Sequence, residues 1–140
     1  MGLLEVSFER SSSLDITFAP RTTTVIELKQ VTKGVPYWSR PDLAIEQADV
    51  KVAGSRMAVT VHSLGAVDAP VSTLVLRDRT GKTIATAAIP ALKAPTDLVP
   101  KTAVVTLTLP AHADYTGGSL NVECGGTLPE ITQSNNLIQF

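Results

Sequence analysis

Hydrophobic and polar residues alternate along most of this chain. Between Arg56 and Ser63, Met57, Val59 and Val61 fall on one side, and Arg56, Ala58, Thr60 and His62 on the other. A period of two marks a strand, because successive side chains of extended backbone point to opposite faces. The same rhythm recurs over residues 71–78, 82–89, 101–109, 118–124 and 136–140. Residues 42–52 read as a further strand, broken in the middle. Turn chemistry separates these runs: Gly54-Ser55, and Asp78-Arg79-Thr80-Gly81 with glycine where positive φ is tolerated. Residues 90–101 hold Pro90, Pro95 and Pro100, which suits an edge or a crossing between sheets. No stretch carries the i, i+3, i+4, i+7 apolar spacing of a helix.

About seven strands in roughly 100 residues, with turns at short intervals, predict an all-β, immunoglobulin-like sandwich. Its inner faces are expected to be Met57/Val59/Val61, Leu74/Leu76, Val105/Leu107/Leu109 and Leu120/Val122. The antibody-type Cys–Trp–Cys core is excluded, since Cys124 is the one cysteine.

Ahead of the sandwich lie shorter strand signals at 3–8, 14–18 and 22–29. In the second, Leu14, Ile16 and Phe18 alternate with Asp15 and Thr17. A linker-like stretch with Pro36 and Pro41 follows. The expected division is an N-terminal β extension over 1–38 and the sandwich over 39–140. Three short strands are too few for a sandwich of their own. They are expected to pair with the main body or to exchange between two chains as a homodimer.

Composition narrows the function. Of 140 residues, 44% are hydrophobic and 18% charged, which excludes a disordered chain. The formal net charge of -1 argues against a nucleic-acid partner, which calls for a basic excess. No run is long and apolar enough for a membrane span. The N-terminus meets Glu5 without a basic start and an apolar run, so no secretory leader is legible. The chain is therefore expected to be cytosolic or a piece of something longer, and the second reading is preferred.

No catalytic set emerges. His62 and His112 are the only histidines. His112 and Asp114 share a loop, but no serine elbow accompanies them. His62 is expected to face solvent or line a sheet, and the carboxylates read as strand-surface or turn residues. Gly117-Gly118 and Gly125-Gly126 lack the lysine and helix of a phosphate loop. No metal spacing and no cofactor is expected. Glu130, Asn135 and Asn136 offer the hard oxygens that suit calcium, yet too few carboxylates lie nearby, and a turn shaped by Asn accounts for them. Aromatics make up 4% of the chain. Tyr37, Trp38 and Tyr115 are the candidates for stacking on a sugar. Against that, Trp38 is read as a plug over an end of the sandwich or over the junction between the segments, and Tyr115 as a corner tyrosine bonded to backbone.

From Pro41 onward the chain resembles the cell-adhesion-related domain found in bacteria, the CARDB family. The resemblance rests on the opening Pro41-Asp42-Leu43. It rests also on a strand running into Gly65, with His62-Ser63-Leu64 where the family favours a polar amide. The closing Glu130-Ile131-Thr132-Gln133-Ser134-Asn135-Asn136 is its most specific part. Residues 14–28 are similar, more briefly, to the last strands of the C-terminal β-sandwich of glycoside hydrolases. Together these resemblances imply a non-catalytic accessory or interaction module of a larger secreted bacterial carbohydrate-active enzyme or adhesion protein. They imply an extracellular or periplasmic location, and partners among the parent's other domains, another protein or a carbohydrate.

Overall fold

The computed structural model describes residues 34–126 and 129–140, together with Thr17, Pro20, Arg21, Thr23 and Val25. The chain divides into two compact units, Met1–Lys33 and Gly34–Phe140. In the first, Pro20-Arg21 forms a turn with Arg21 at a φ of 60°, and Val25 is exposed. The strands expected within 3–29, and their pairing between chains, lie outside the described residues. The linker residues Tyr37 and Trp38 belong to the second unit.

The second unit is an all-β sandwich of two antiparallel four-stranded sheets. Its strands are β1 (Leu43–Ala44), β2 (Val50–Ala53), β3 (Arg56–Ser63), β4 (Ser72–Arg77), β5 (Thr83–Ile89), β6 (Lys101–Thr108), β7 (Ser119–Glu123) and β8 (Leu137–Gln139). In one sheet β3 is central. It pairs with β6 along its whole length, from Arg56↔Thr108 to Ser63↔Lys101. Its other edge is shared by β2, at Val50↔Val59, and β1, at Leu43↔Ser63. Thus β1 and β2 are one strand interrupted by a 3₁₀ turn at Gln47–Asp49, which reconciles eight elements with an expectation of about seven. The turn is closed by a reciprocal pair of caps, one of them the Glu46 N–H donating to Asp49 Oδ2 at 2.9 Å. The second sheet runs β5-β4-β7-β8. β5 pairs with β4 in this sheet and β6 with β3 in the other, which makes the 90–100 connection a crossing between sheets, one of the two roles its prolines suit.

The core is what the alternation predicts. Met57, Val59, Val61, Leu74, Leu76, Val105, Leu107, Leu109, Leu120 and Val122 are all buried, joined by Leu43, Ile45, Ile89, Leu92 and Ile138. Burying such side chains is the main drive to this fold, about 1.5–3 kcal/mol each. The β4–β5 hairpin turns on Asp78, whose Oδ1 accepts from the Thr80 and Lys82 N–H groups and the Thr80 hydroxyl. Gly81 takes a φ of 84° there, a conformation glycine adopts without steric cost.

Candidate functional site

The strand registers bring several connections to one end of the sandwich. At that end β3 finishes at Ser63 beside the start of β6, and β4 begins at Ser72 opposite the end of β5. Beside it β7 ends at Glu123, opposite Thr73. The connections 64–71, 90–100 and 124–136 therefore cluster there, and the chain enters there through residues 34–42. The first two connections are zipped together. Ala69 and Leu92 exchange main-chain bonds of 2.8 and 3.0 Å. Asp68 takes the Ala94 N–H at 2.9 Å and Lys93 Nζ at 2.7 Å. The entry strand is sewn to the first connection by the Ala66 N–H to Arg40 O and the Leu64 N–H to Asp42 O. Gly65 allows that approach, because a Cβ there would lie 2.6 Å from Pro41 Cα.

The closing motif lies under this end as a clasp. Glu130 Oε1 accepts the Leu43 N–H at 2.9 Å, and Oε2 accepts Asn136 Nδ2 at 2.5 Å. Asp42 Oδ1 accepts the Thr132 N–H, and its Oδ2 accepts Asn135 Nδ2, both at 3.3 Å. The Ile131 N–H donates to Pro41 O, and the Ile45 N–H to Asn135 O. Asp42, Glu130 and Asn136 are buried. Desolvation raises the carboxyl pKa of both Asp42 and Glu130, against the hydrogen bonds that favour the charged forms.

These residues do not fit a calcium cage. All four carboxylate oxygens already accept from N–H donors. The amide oxygens of Asn135 and Asn136, the groups a cation would want, have no hydrogen-bond partner, while their NH₂ ends face the carboxylates. No group of three or more His, Cys, Asp or Glu side chains among the described residues converges as metal ligands. The arrangement ties the last connection to β1.

The same end also exposes apolar side chains among polar ones. Tyr37, Trp38, Leu64, Val71, Leu98 and Val99 are exposed there, with Trp38 at 76% and Leu98 at 93%. Tyr37 and Trp38 sit in a 3₁₀ turn, Tyr37–Ser39, and the Arg40 guanidinium lies 4.7 Å from the Tyr37 ring centre. At 76% exposure Trp38 does not cover the end of the sandwich. Leu98 has a φ of 61°, which a branched side chain adopts only with strain. Its turn is fixed by Asp97, which accepts the Val99 N–H and Lys101 Nζ. Lys93 and Lys101 are both paired with aspartates.

Tyr115 is elsewhere. It lies in the connection between β6 and β7, at the opposite end, with its ring edge-on to Phe140 at 5.0 Å between centroids. The Gly118 N–H donates to its main-chain oxygen, and its side chain packs on the core. The structure brings Tyr37 and Trp38 together and leaves Tyr115 apart.

The remaining chemistry is accounted for locally. His112 is exposed at a φ of 58°, and Asp114 turns its carboxylate to the Thr116 N–H, so the two form no relay. His62 Nε2 lies 3.0 Å from Asp49 Oδ1, a pair the alternation alone does not reveal because Asp49 belongs to the interrupting turn. Cys124 is half-buried, and desolvation raises its thiol pKa, so it is kept as a thiol rather than a reactive thiolate. An open depression of about 580 Å³ lies along β7 and β8, with Cys124, Glu130 and Asn136 in its lining. The Glu130 carboxylate there is already committed to the clasp. Among the described residues no helix is long and apolar enough to cross a membrane. Compared with protein-family models, curated proteins and solved structures, the chain has no match.

Proposed function

We propose that this chain is a non-catalytic interaction module that works through the loop end of its sandwich, as an accessory part of a larger secreted bacterial protein. The observation that carries this reading is the gathering of Trp38, Tyr37, Leu64, Val71, Leu98 and Val99, exposed, at one end. Exposed apolar side chains grouped in this way mark interaction sites more often than scattered ones do. Loops held on a rigid sandwich are a common place for binding residues. The resemblance of residues 41–140 to the CARDB family supports the accessory role and an extracellular or periplasmic setting. Its partners would be neighbouring domains of the parent protein or another protein.

A second reading has its own support. Trp38 and Tyr37 are adjacent and exposed, as a module that stacks sugar rings requires. Trp38 is the one tryptophan of the chain, so its fluorescence reports on this end alone. Titration with soluble polysaccharides separates the readings. A saturable change in Trp38 emission, with binding lost in Trp38→Ala, establishes the sugar reading. Absence of any change with sugars removes it. The principal reading predicts slowed hydrogen exchange at 36–40, 64–71 and 95–99 when the chain is part of its full gene product. Equal exchange at all three segments, alone and in that product, refutes it.

A further inference from the structure

We propose that Asp42 and Glu130 form a pH-gated latch: as both become ionised, the clasp opens locally more readily, freeing the last connection from the entry strand while the sandwich stays folded. The two carboxylates bind reciprocally. Glu130, in the last connection, accepts from the Leu43 N–H, and Asp42, beside Leu43, accepts from the Thr132 N–H. Both residues are buried. Every donor to them is neutral, two main-chain N–H groups and the side-chain amides of Asn135 and Asn136. Neither carboxylate joins an ion pair among the described residues. The titratable groups that face them are each other and the Cys124 thiol, just past the end of β7. Buried negative charges without a cation are costly, and the charge on Asp42 opposes that on Glu130.

The closed clasp is also incompletely satisfied. The amide oxygens of Asn135 and Asn136 are buried without a partner. Both bonds to Asp42 are 3.3 Å, past the usual range for N–H···O. Opening lets water meet the two carboxylates and the two amide oxygens together. Water is close at hand, because Glu130 and Asn136 line the open depression along β7 and β8. Little else is broken. Beyond the carboxylate bonds, the Ile131 N–H leaves Pro41 O and the Ile45 N–H leaves Asn135 O. β1 keeps its register on β3 through Leu43↔Ser63 and Ala44↔His62. A protonated carboxyl carries no charge to hydrate, so acid holds the clasp shut. The sign agrees with the effect of burial, which raises the pKa of both carboxyls. The closed clasp therefore binds protons more tightly than the open one, and opening is favoured as pH rises through the folded values.

The test is amide hydrogen exchange, read residue by residue by NMR on the 140-residue chain and corrected for the intrinsic rate at each pH. The Leu43 and Thr132 N–H groups report on the clasp. Those of Leu74 and Leu76, in β4 between β5 and β7, report on the folded sandwich. At about pH 7 the clasp amides are expected to be about tenfold or more less protected than the β4 amides, as local opening requires. From pH 4.5 upward to about pH 7 their protection is expected to fall about threefold or more. Asp42→Asn with Glu130→Gln keeps an acceptor oxygen at each position, and its clasp amides are expected to show no such fall. Clasp amides as protected as those of β4 would mean that only unfolding opens the clasp, and would overturn the proposal. So would wild-type clasp protection that is independent of pH, or the same fall in the double variant. The first two of these outcomes need the wild-type chain alone, so they decide the matter even where the double variant fails to fold.

Discussion

Glu130 shows how much one buried carboxylate decides here. Removing its acceptors in Glu130→Ala leaves the Leu43 N–H and Asn136 Nδ2 unsatisfied in a buried place, at a cost of about 1–3 kcal/mol. Glu130→Gln keeps one oxygen for Leu43, and an amide flip lets the unpartnered Asn136 Oδ1 accept from the new NH₂ group. The pH dependence follows from burial. The folded pKa values of Glu130 and Asp42 are raised above their ordinary 4.5 and 3.8. Their contribution to stability is complete below those ordinary values and is lost as pH rises through the folded ones. Asp68, Asp78, Asp97 and Asp114, lowered by hydrogen bonds on the surface, act in the opposite sense and lose their contribution as pH falls below 3.8. Comparing Glu130→Gln with wild type cancels the surface groups. Urea denaturation is expected to show the difference moving in the variant's favour as pH rises from 4.5; a difference independent of pH contradicts this. Turn chemistry was legible in Asn135 and Asn136 from the sequence alone. The bond of Asn135 to Asp42 was not, because the partners are 93 residues apart in sequence and only the folded sandwich brings them together.

At the level of the element, alternation was a faithful guide. The predicted strand at Arg56–Ser63 matches the observed one, and the others expected from residue 42 onward differ by a residue at their ends. The reason is physical: these strands have one face against the core and the other toward solvent, so the pattern of two is imposed by burial itself. The break in the first strand was also legible, although its cause, the reciprocal caps of Glu46 and Asp49, needed coordinates. Connections were less readable. Nothing in Pro95-Thr96-Asp97-Leu98-Val99-Pro100 announces that Leu98 is the residue forced to positive φ, since asparagine and glycine are the usual occupants. A leucine placed there bears about 1–2 kcal/mol of strain and recovers nothing by burial. Leu98→Gly relieves the strain while adding backbone freedom to the unfolded chain, worth about 0.5–1 kcal/mol. The net expectation is a small rise in the urea midpoint with no change in slope. A clear fall would show that Leu98 makes contacts that stabilise the fold.

The whole sandwich is polarised in a way that stability does not require. At one end, tight turns close the strands with Asp78, Thr80 and Gly81, and with Tyr115 tucked against Phe140. At the other, three connections meet, are braced from beneath by the Asp42–Glu130 clasp, and carry apolar tips into solvent. A rigid base under exposed apolar side chains is the economy of a binding surface, since the ordering is completed before a partner arrives. On the proposed reading, residues that hold the fold and residues that would make contact respond differently to substitution. Core truncation such as Leu74→Ala removes a fully buried side chain and is expected to cost about 2–5 kcal/mol. Replacing Trp38, Leu64 and Leu98 together by serine removes side chains exposed by half or more, and each such change away from special features is worth within about 0.5 kcal/mol. The triple variant is therefore expected to unfold at nearly the wild-type urea concentration, while eluting much earlier from a hydrophobic-interaction column. A loss of stability as large as that of Leu74→Ala would mean that these side chains hold the fold together, and the loop end would lose its claim to be a surface kept for a partner.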